Sequence, residues 1–223
     1  MALSVRSLSA VVFCLSAAAA LAQQSNQTDP APIVQPGAPG KPSRNLTPGD
    51  VKTTRPAAES DVEFMQGMIM HHQQAVDMVD ILLKNGKNPR VRAFGIKISM
   101  SQTDEIKFMK QWLIDRGKPL EMTHAAMMNM TGMKMLPDGE MVMMGMLTRE
   151  QMEALKKAKG NECDHLFLTG MIQHHTGALS MVDDLMHTPG GAQDPIIFDF
   201  ITDVDNTQSA EIRLMQGMLE EMK

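Results

Sequence analysis

From residue 60 onward, apolar residues recur at helical spacing in four long stretches separated by short breaks. In the first stretch Phe64, Met68, Ala75, Val79 and Leu82 share an arc of about 60° on a helical wheel, with Glu63, Gln73 and Asp77 on the far side. Ser60-Asp61-Val62-Glu63 before it has the spacing of a capping box, and Asn85-Gly86 after it is a stop signal. Asn88-Pro89 opens the second stretch, with Pro at the first helical position, and it lasts to about Arg116-Gly117. Thr148-Arg149-Glu150-Gln151 caps a short helix that ends by Gly160. A third long stretch runs from Asn161 through Phe167 and Leu185 to Pro189-Gly190-Gly191, and Asp194-Pro195 opens the last. The pattern predicts four long helices and one short one, with no room for a sheet.

The stretches repeat. Phe64 to Leu82 aligns with Phe167 to Leu185 at a constant offset of 103, with 11 identities in 19 positions. The matches include Met68/Met171, His71-His72/His174-His175, Ala75/Ala178 and Met78/Met181. The partner stretches align at an offset of 106 through Gln102/Gln208, Glu105/Glu211, Ile106/Ile212, Met109/Met215 and Leu113/Leu219. Each repeat is a helical hairpin that cannot bury its apolar stripe alone. Pairing the two gives a four-helix bundle with a pseudo-twofold axis.

Polar residues interrupt the buried stripes at matching places. His71 and His72 flank the first stripe about 100° apart, and His174 and His175 flank its repeat. Gln102 and Glu105 sit in the middle of the stripe made by Val91, Ile98, Met109, Trp112 and Leu113, and Gln208 and Glu211 do the same in the last helix. A carboxylate on a buried stripe needs a partner. Counted outward from the interhelix turn, Met68, His71, His72, Gln102 and Glu105 fall within about one helical turn in height, so each hairpin should carry one polar layer. Two readings follow. In one, the carboxylates accept hydrogen bonds from the histidines in a purely structural network. In the other, imidazoles and thioethers bind a soft or borderline metal, with Glu105, Glu211, Gln102 and Gln208 as ligands or as partners that orient the rings. The metal candidates are His71, His72, His174, His175, Met68, Met171, Met78 and Met181.

Composition sharpens this picture. The chain has 24 Met, eight aromatic residues and a formal net charge of −5. Few aromatics and no basic field argue against an all-β sandwich and against nucleic-acid binding. Residues 1–22 read as a signal peptide: Arg6, an apolar run from Leu8 to Ala19, and Ala20-Leu21-Ala22 before Gln23. Residues 23–58 hold seven prolines and read as a disordered tether, leaving the bundle at 59–223. Within the bundle, repeat one spans 60–117, a connection 118–160 and repeat two 161–223. The product is expected in the periplasm or secreted, with no membrane span. Loss of Cys14 with the signal peptide leaves Cys163 alone. It reads either as a buried thiol, an intermolecular bridge or a soft ligand.

Eleven Met crowd the stretch from Met122 to Met152. Met127, Met128, Met130, Met133, Met135, Met141, Met143, Met144 and Met146, with His124, come in clusters broken by Gly, Pro and Asn and so form no single helical stripe. A flexible thioether-rich segment suits Cu(I), and a greasy segment packed on the bundle suits the same residues. No Ser or Cys nucleophile with a base and no phosphate loop is present, so no enzyme activity is expected.

The duplicated Phe-x-x-x-Met-x-x-His-His-x-x-Ala-x-x-Met pattern, the Gln-x-x-Glu-Ile partner helices and the Met-rich spacer resemble the secreted family called domain of unknown function 305, of the ferritin-like superfamily. The resemblance covers about residues 60–223. It implies an all-α, ferritin-like four-helix bundle of two repeated hairpins, and copper binding as Cu(I), Cu(II) or both, since some exported relatives bind copper and support tolerance to it. The function expected is copper buffering, scavenging or tolerance by a monomer or weak homodimer, with the metal ion and other copper-handling envelope proteins as partners. The alternatives are a metal-free envelope interaction module and a di-iron oxidase, the latter on Glu162/His165 and Glu121/His124 with Glu105 and Glu211.

Overall fold

The computed structural model describes residues 33–35, 40–46, 56–129, 132–139 and 141–222. The expected signal peptide, much of the 23–58 segment and Met130 lie outside the described residues. The described residues divide into two units, one before residue 53 and one from there on. In the first, β1 (Ile33–Gln35) pairs antiparallel with β2 (Arg44–Leu46), Val34 opposite Asn45.

The second unit is helical: α1 (Glu59–Asn85), α2 (Pro89–Asp115), the short α3 (His124–Asn129) and α4 (Arg149–Lys157), then α5 (Asn161–His187) and α6 (Pro195–Glu221). The hairpin β3 (Met133–Met135) and β4 (Met141–Met143) follows α3. The two small ladders depart from the expectation of no sheet. Neither belongs to the four long helices, which form the predicted all-α bundle. Met–Lys–Met and Met–Val–Met alternate with the period of a strand, and Leu136-Pro137-Asp138-Gly139 turns between them with Gly139 at φ 83°.

Each long helix has 27 residues, about 40 Å at 1.5 Å per residue. α2 and α6 start alike: Asn88 accepts from the Arg90 and Val91 amides and Asp194 from the Ile196 amide, each with Pro next. The predicted Thr148 capping box of α4 is formed with Gln151. The predicted box at Ser60 is not. α1 begins at Glu59 behind Ala58, which makes no side-chain cap.

Asp61 is taken from that box for another task. Buried, it accepts the Ala192 amide at 2.8 Å, across from the turn between α5 and α6. Asp164, 103 residues later and fully buried, accepts the Lys87 and Asn88 amides at 3.1 and 2.8 Å from the turn between α1 and α2. Each hairpin thus pins the turn of the other, as charged acceptors of backbone donors do strongly.

α1 packs along α2, α5 along α6, and the hairpins meet through antiparallel α1 and α5. The core splits into two clusters. One holds Phe64, Met68, Trp112, Leu113, Val182 and Ile197; the other holds Val79, Leu82, Ile98, Phe167, Leu168 and Met215. Burying each such side chain contributes about 1.5–3 kcal/mol. Between the clusters, at the midpoint of every long helix, stand His72, Gln102, His174 and Gln208. Among the described residues no helix is long and apolar enough to cross a membrane.

Candidate metal centre

Helical spacing puts His71 and His72, and their repeats, at this waist, and the packing of α1 on α5 brings them together. All four rings are fully buried. His71 and His174 meet with ring centroids 3.8 Å apart, while the rings within each pair lie 6.5 and 6.2 Å apart. His72 Nε2 is 2.6 Å from Glu105 and His175 Nε2 is 2.7 Å from Glu211. His71 Nε2 lies 3.0 Å from the Met144 carbonyl, and His174 Nε2 lies 2.8 Å from the His71 carbonyl. The structural reading, with every His on a carboxylate, is therefore met by half of the set.

These partners fix the tautomers. Carbonyl and carboxylate oxygens only accept here, so each Nε2 donates and, in the neutral ring, Nδ1 carries the lone pair. Burial, reinforced by His72, pushes His71 down to about 3, against the opposing effect of the Met144 carbonyl. Burial and the neighbouring histidines, His71 first, hold His174 well below its ordinary value. Both are neutral at pH 7. Burial alone would raise Glu105, but its hydrogen bonds from His72 and Ser101 outweigh this and hold it below the ordinary value, ionised.

All four Nδ1 atoms are buried without a hydrogen-bond partner, and so are both polar atoms of the Gln102 and Gln208 amides. An unsatisfied buried group costs about 1–3 kcal/mol. Eight in one layer call for a partner, and lone pairs on oriented imidazoles are what a metal recruits. Met68 and Met171, one turn before the pairs, are fully buried beside the layer. Met78 and Met181 are buried too, but stand about 10 Å further along their helices, within the apolar clusters. Among the described residues no three His, Cys, Asp or Glu side chains converge to hold an ion. A ready-made nitrogen and oxygen cage is absent there, and a metal at the waist would draw on thioethers.

A strap closes the waist. Met144 to Leu147 crosses α1 and α5: Gln74 exchanges two hydrogen bonds with Leu147, at 2.7 and 2.9 Å, and Gln173 donates to the Met146 carbonyl at 3.1 Å. Gly177 lets the strap backbone touch α5, since a Cβ there would meet the Met144 carbonyl oxygen at 2.2 Å. Positions 74 and 177 are repeat equivalents, as are Met70 and Gln173. The duplication is broken where the strap docks.

The remaining predicted residues divide. His124, Met128 and Met135 are exposed, Met127, Met133, Met141, Met144 and Met146 partly buried, and Met143 buried in the core. Glu121, Glu162 and His165 are exposed as well, so the di-iron arrangement is not assembled. Cys163 is buried among apolar residues, where desolvation and Asp164 raise its thiol pKa. Sequence reading missed Asp61 and Asp164, although the offset of 103 relates them, and missed the strap glutamines.

The sequence pattern of the family described as "Domain of unknown function (DUF305)" matches residues 61–219. The chain belongs to the DUF305 family. A DUF305 fragment from Deinococcus radiodurans shares 27% identity over 75% of this chain and 99% of its own, with a TM-score of 0.60. A DUF305 protein from Streptomyces coelicolor, inferred to be secreted, shares 25% over 74% and 96%, with a TM-score of 0.63. CopM in a Cu(I)-bound form shares 25% over 72% and 96%, with a TM-score of 0.55. CopM has also been solved bound to silver. No curated protein matches this DUF305 chain.

Proposed function

We propose that this DUF305 protein binds copper at its waist and serves to buffer, scavenge or confer tolerance to it in the periplasm or outside the cell. The observation that carries the reading is the set of four buried imidazoles, each oriented through Nε2 and left with an unpartnered Nδ1. His71, His72, His174 and His175 would supply nitrogen and Met68 and Met171 sulfur, a mixed set that suits Cu(I) and tolerates Cu(II). Glu105 and Glu211 would hold the outer rings in register and raise their basicity. The copper-bound forms of CopM support the choice of metal. The signal peptide at 1–22 and the tether at 23–58 are part of the same proposal, as export places the bundle where copper is met.

The metal-free alternative, an envelope interaction module whose polar layer is purely structural, draws on the two His–Glu bonds already made and on the lack, among the described residues, of a cluster of three His, Cys, Asp or Glu donors. Titration of Cu(I) against a competing chelator separates the two. The wild type should take up copper and melt at a higher temperature, as any ligand specific to the native state requires. A variant with all four histidines changed to Ala should lose the tight equivalent. Equal uptake by the two proteins would overturn the assignment.

A further inference from the structure

The hairpin of the Met-rich connection carries a second arrangement that the waist does not use. In the β3–β4 ladder Met133 stands opposite Met143 and Met135 opposite Met141, with Lys134 opposite Val142 between them. Directly opposed residues of an antiparallel pair point to the same side, and so do residues two apart on one strand. All four thioethers therefore share one face of the ribbon, and Lys134 and Val142 share the other. Cross-strand partners have Cβ atoms about 4.5–5.5 Å apart, within reach of a common ion for an unbranched side chain with three rotatable bonds.

Burial is graded along this face. Met135 at the turn end is 60% exposed, Met141 and Met133 are partly buried, and Met143 at the far end is 3% exposed and belongs to the core. The next residue, Met144, gives its carbonyl to His71. A ribbon stabilised by packing alone would turn its apolar side chains to the bundle and its polar ones to water. Met143 in the core, Met133 packed against it and Lys134 exposed on the other side follow that rule; Met135, 60% exposed, does not, and among the described residues the Met side presents four soft donors and no oxygen side chain.

We propose that Met133, Met135, Met141 and Met143 form a separate binding site for a monovalent soft cation, Cu(I) or Ag(I), open to solvent at Met135. Thioethers bind such ions without deprotonation, and two to four of them satisfy an ion with little demand on geometry. Among the described residues a divalent hard ion finds no side-chain oxygen on this face. The site uses none of the waist histidines or their neighbouring Met68 and Met171, so either can fail alone.

Silver is the probe, being redox-silent. Titrate Ag(I) into protein labelled at the Met methyl carbons, counting equivalents by native mass spectrometry. Three variants are compared with the wild type: the four-His-to-Ala protein, a protein with Met133, Met135, Met141 and Met143 all changed to Leu, and one with only Met135→Leu and Met141→Leu. Leu is near Met in volume and keeps the core contact of position 143, and the double variant leaves the core untouched. The wild type and the four-His variant should shift the methyl signals of the four ladder methionines on the first equivalents. The four-Leu variant should bind one Ag(I) fewer, and the double variant should bind that ion at least tenfold more weakly. Wild-type stoichiometry in the four-Leu protein, unmoved ladder methyls in the wild type, or unchanged affinity in the double variant would each overturn the site, whatever the waist does.

Discussion

Gly177→Ala tests how the strap is fixed to the bundle. Its Cβ would lie 2.2 Å from the Met144 carbonyl oxygen and 2.4 Å from the Gly145 Cα, both backbone atoms that no rotamer change can clear. The strap must lift by about 1 Å or more to restore ordinary contact. Lifting breaks the two Gln74–Leu147 hydrogen bonds and the one from His71 to Met144, a loss of about 3 kcal/mol at about 1 kcal/mol each. Replacing Gly by Ala inside a helix returns about 1 kcal/mol, for a net loss of about 2 kcal/mol. Gly217→Ala is the control, because that glycine lies in α6 with nothing within 4 Å of its would-be Cβ. It should gain about 0.5–1 kcal/mol. Urea unfolding of the metal-free protein should show midpoints moving in opposite directions, by about 1 M downward for Gly177→Ala if m is near 2 kcal/mol/M. Exchange at the Leu147 amide should quicken about a hundredfold in that variant alone. If Gly177→Ala gains stability as Gly217→Ala does, with Leu147 still protected, the strap does not rest on α5.

Three further outcomes are expected. Asp164→Ala removes the acceptor of the Lys87 and Asn88 amides and should cost about 2–3 kcal/mol, against about 1–2 for Asp61→Ala, which loses one bond; chemical denaturation checks the order. The lowered values of His71 and His174 mean that the native state binds fewer protons than the unfolded one, so their contribution is present above the ordinary His range and is lost as pH falls below it. Metal-free protein should therefore lose up to about 1.4 kcal/mol per pH unit for each ring as pH drops from 6.5 toward 4, a slope that a His71→Leu, His174→Leu variant should lack. Asp61, raised by burial, acts oppositely: its contribution is complete below the ordinary Asp range and weakens as pH rises through its folded-state value. Glu105→Gln and Glu211→Gln should each weaken copper binding by about 10–100-fold, read by chelator competition; unchanged affinity would show that the carboxylates do not orient ligands.

The bundle was legible because duplication made the hairpins visible twice and because Asn88-Pro89 and Asp194-Pro195 mark helix starts without reference to packing. The waist was legible for a different reason: His, Gln and Glu on apolar stripes have no place in a core without a purpose. What escaped depends on contacts between segments distant in sequence. Asp61 fitted a local capping pattern, and only the turn of the other hairpin shows why it is buried. The β3–β4 ribbon was hidden by Met, which marks strands poorly, although the alternation around Pro137-Asp138-Gly139 was available. Gln74, Gln173 and Gly177 looked like mismatches in the repeat. They are the places where a single strap meets a twofold scaffold, and a single strap cannot be symmetric.

In the proposed site the Nδ1 lone pairs of the waist histidines hold the metal. Long-range proton–nitrogen correlation spectra of 15N-His-labelled protein, without metal and saturated with Cu(I), read each ring nitrogen separately. His71 and His174 should be neutral and protonated on Nε2 at pH 7 without metal, and on loading Nδ1 should shift in waist histidines while Nε2 stays protonated. Saturated protein whose four Nδ1 signals have not moved, or in which Nε2 is the coordinating atom, would contradict the proposed site.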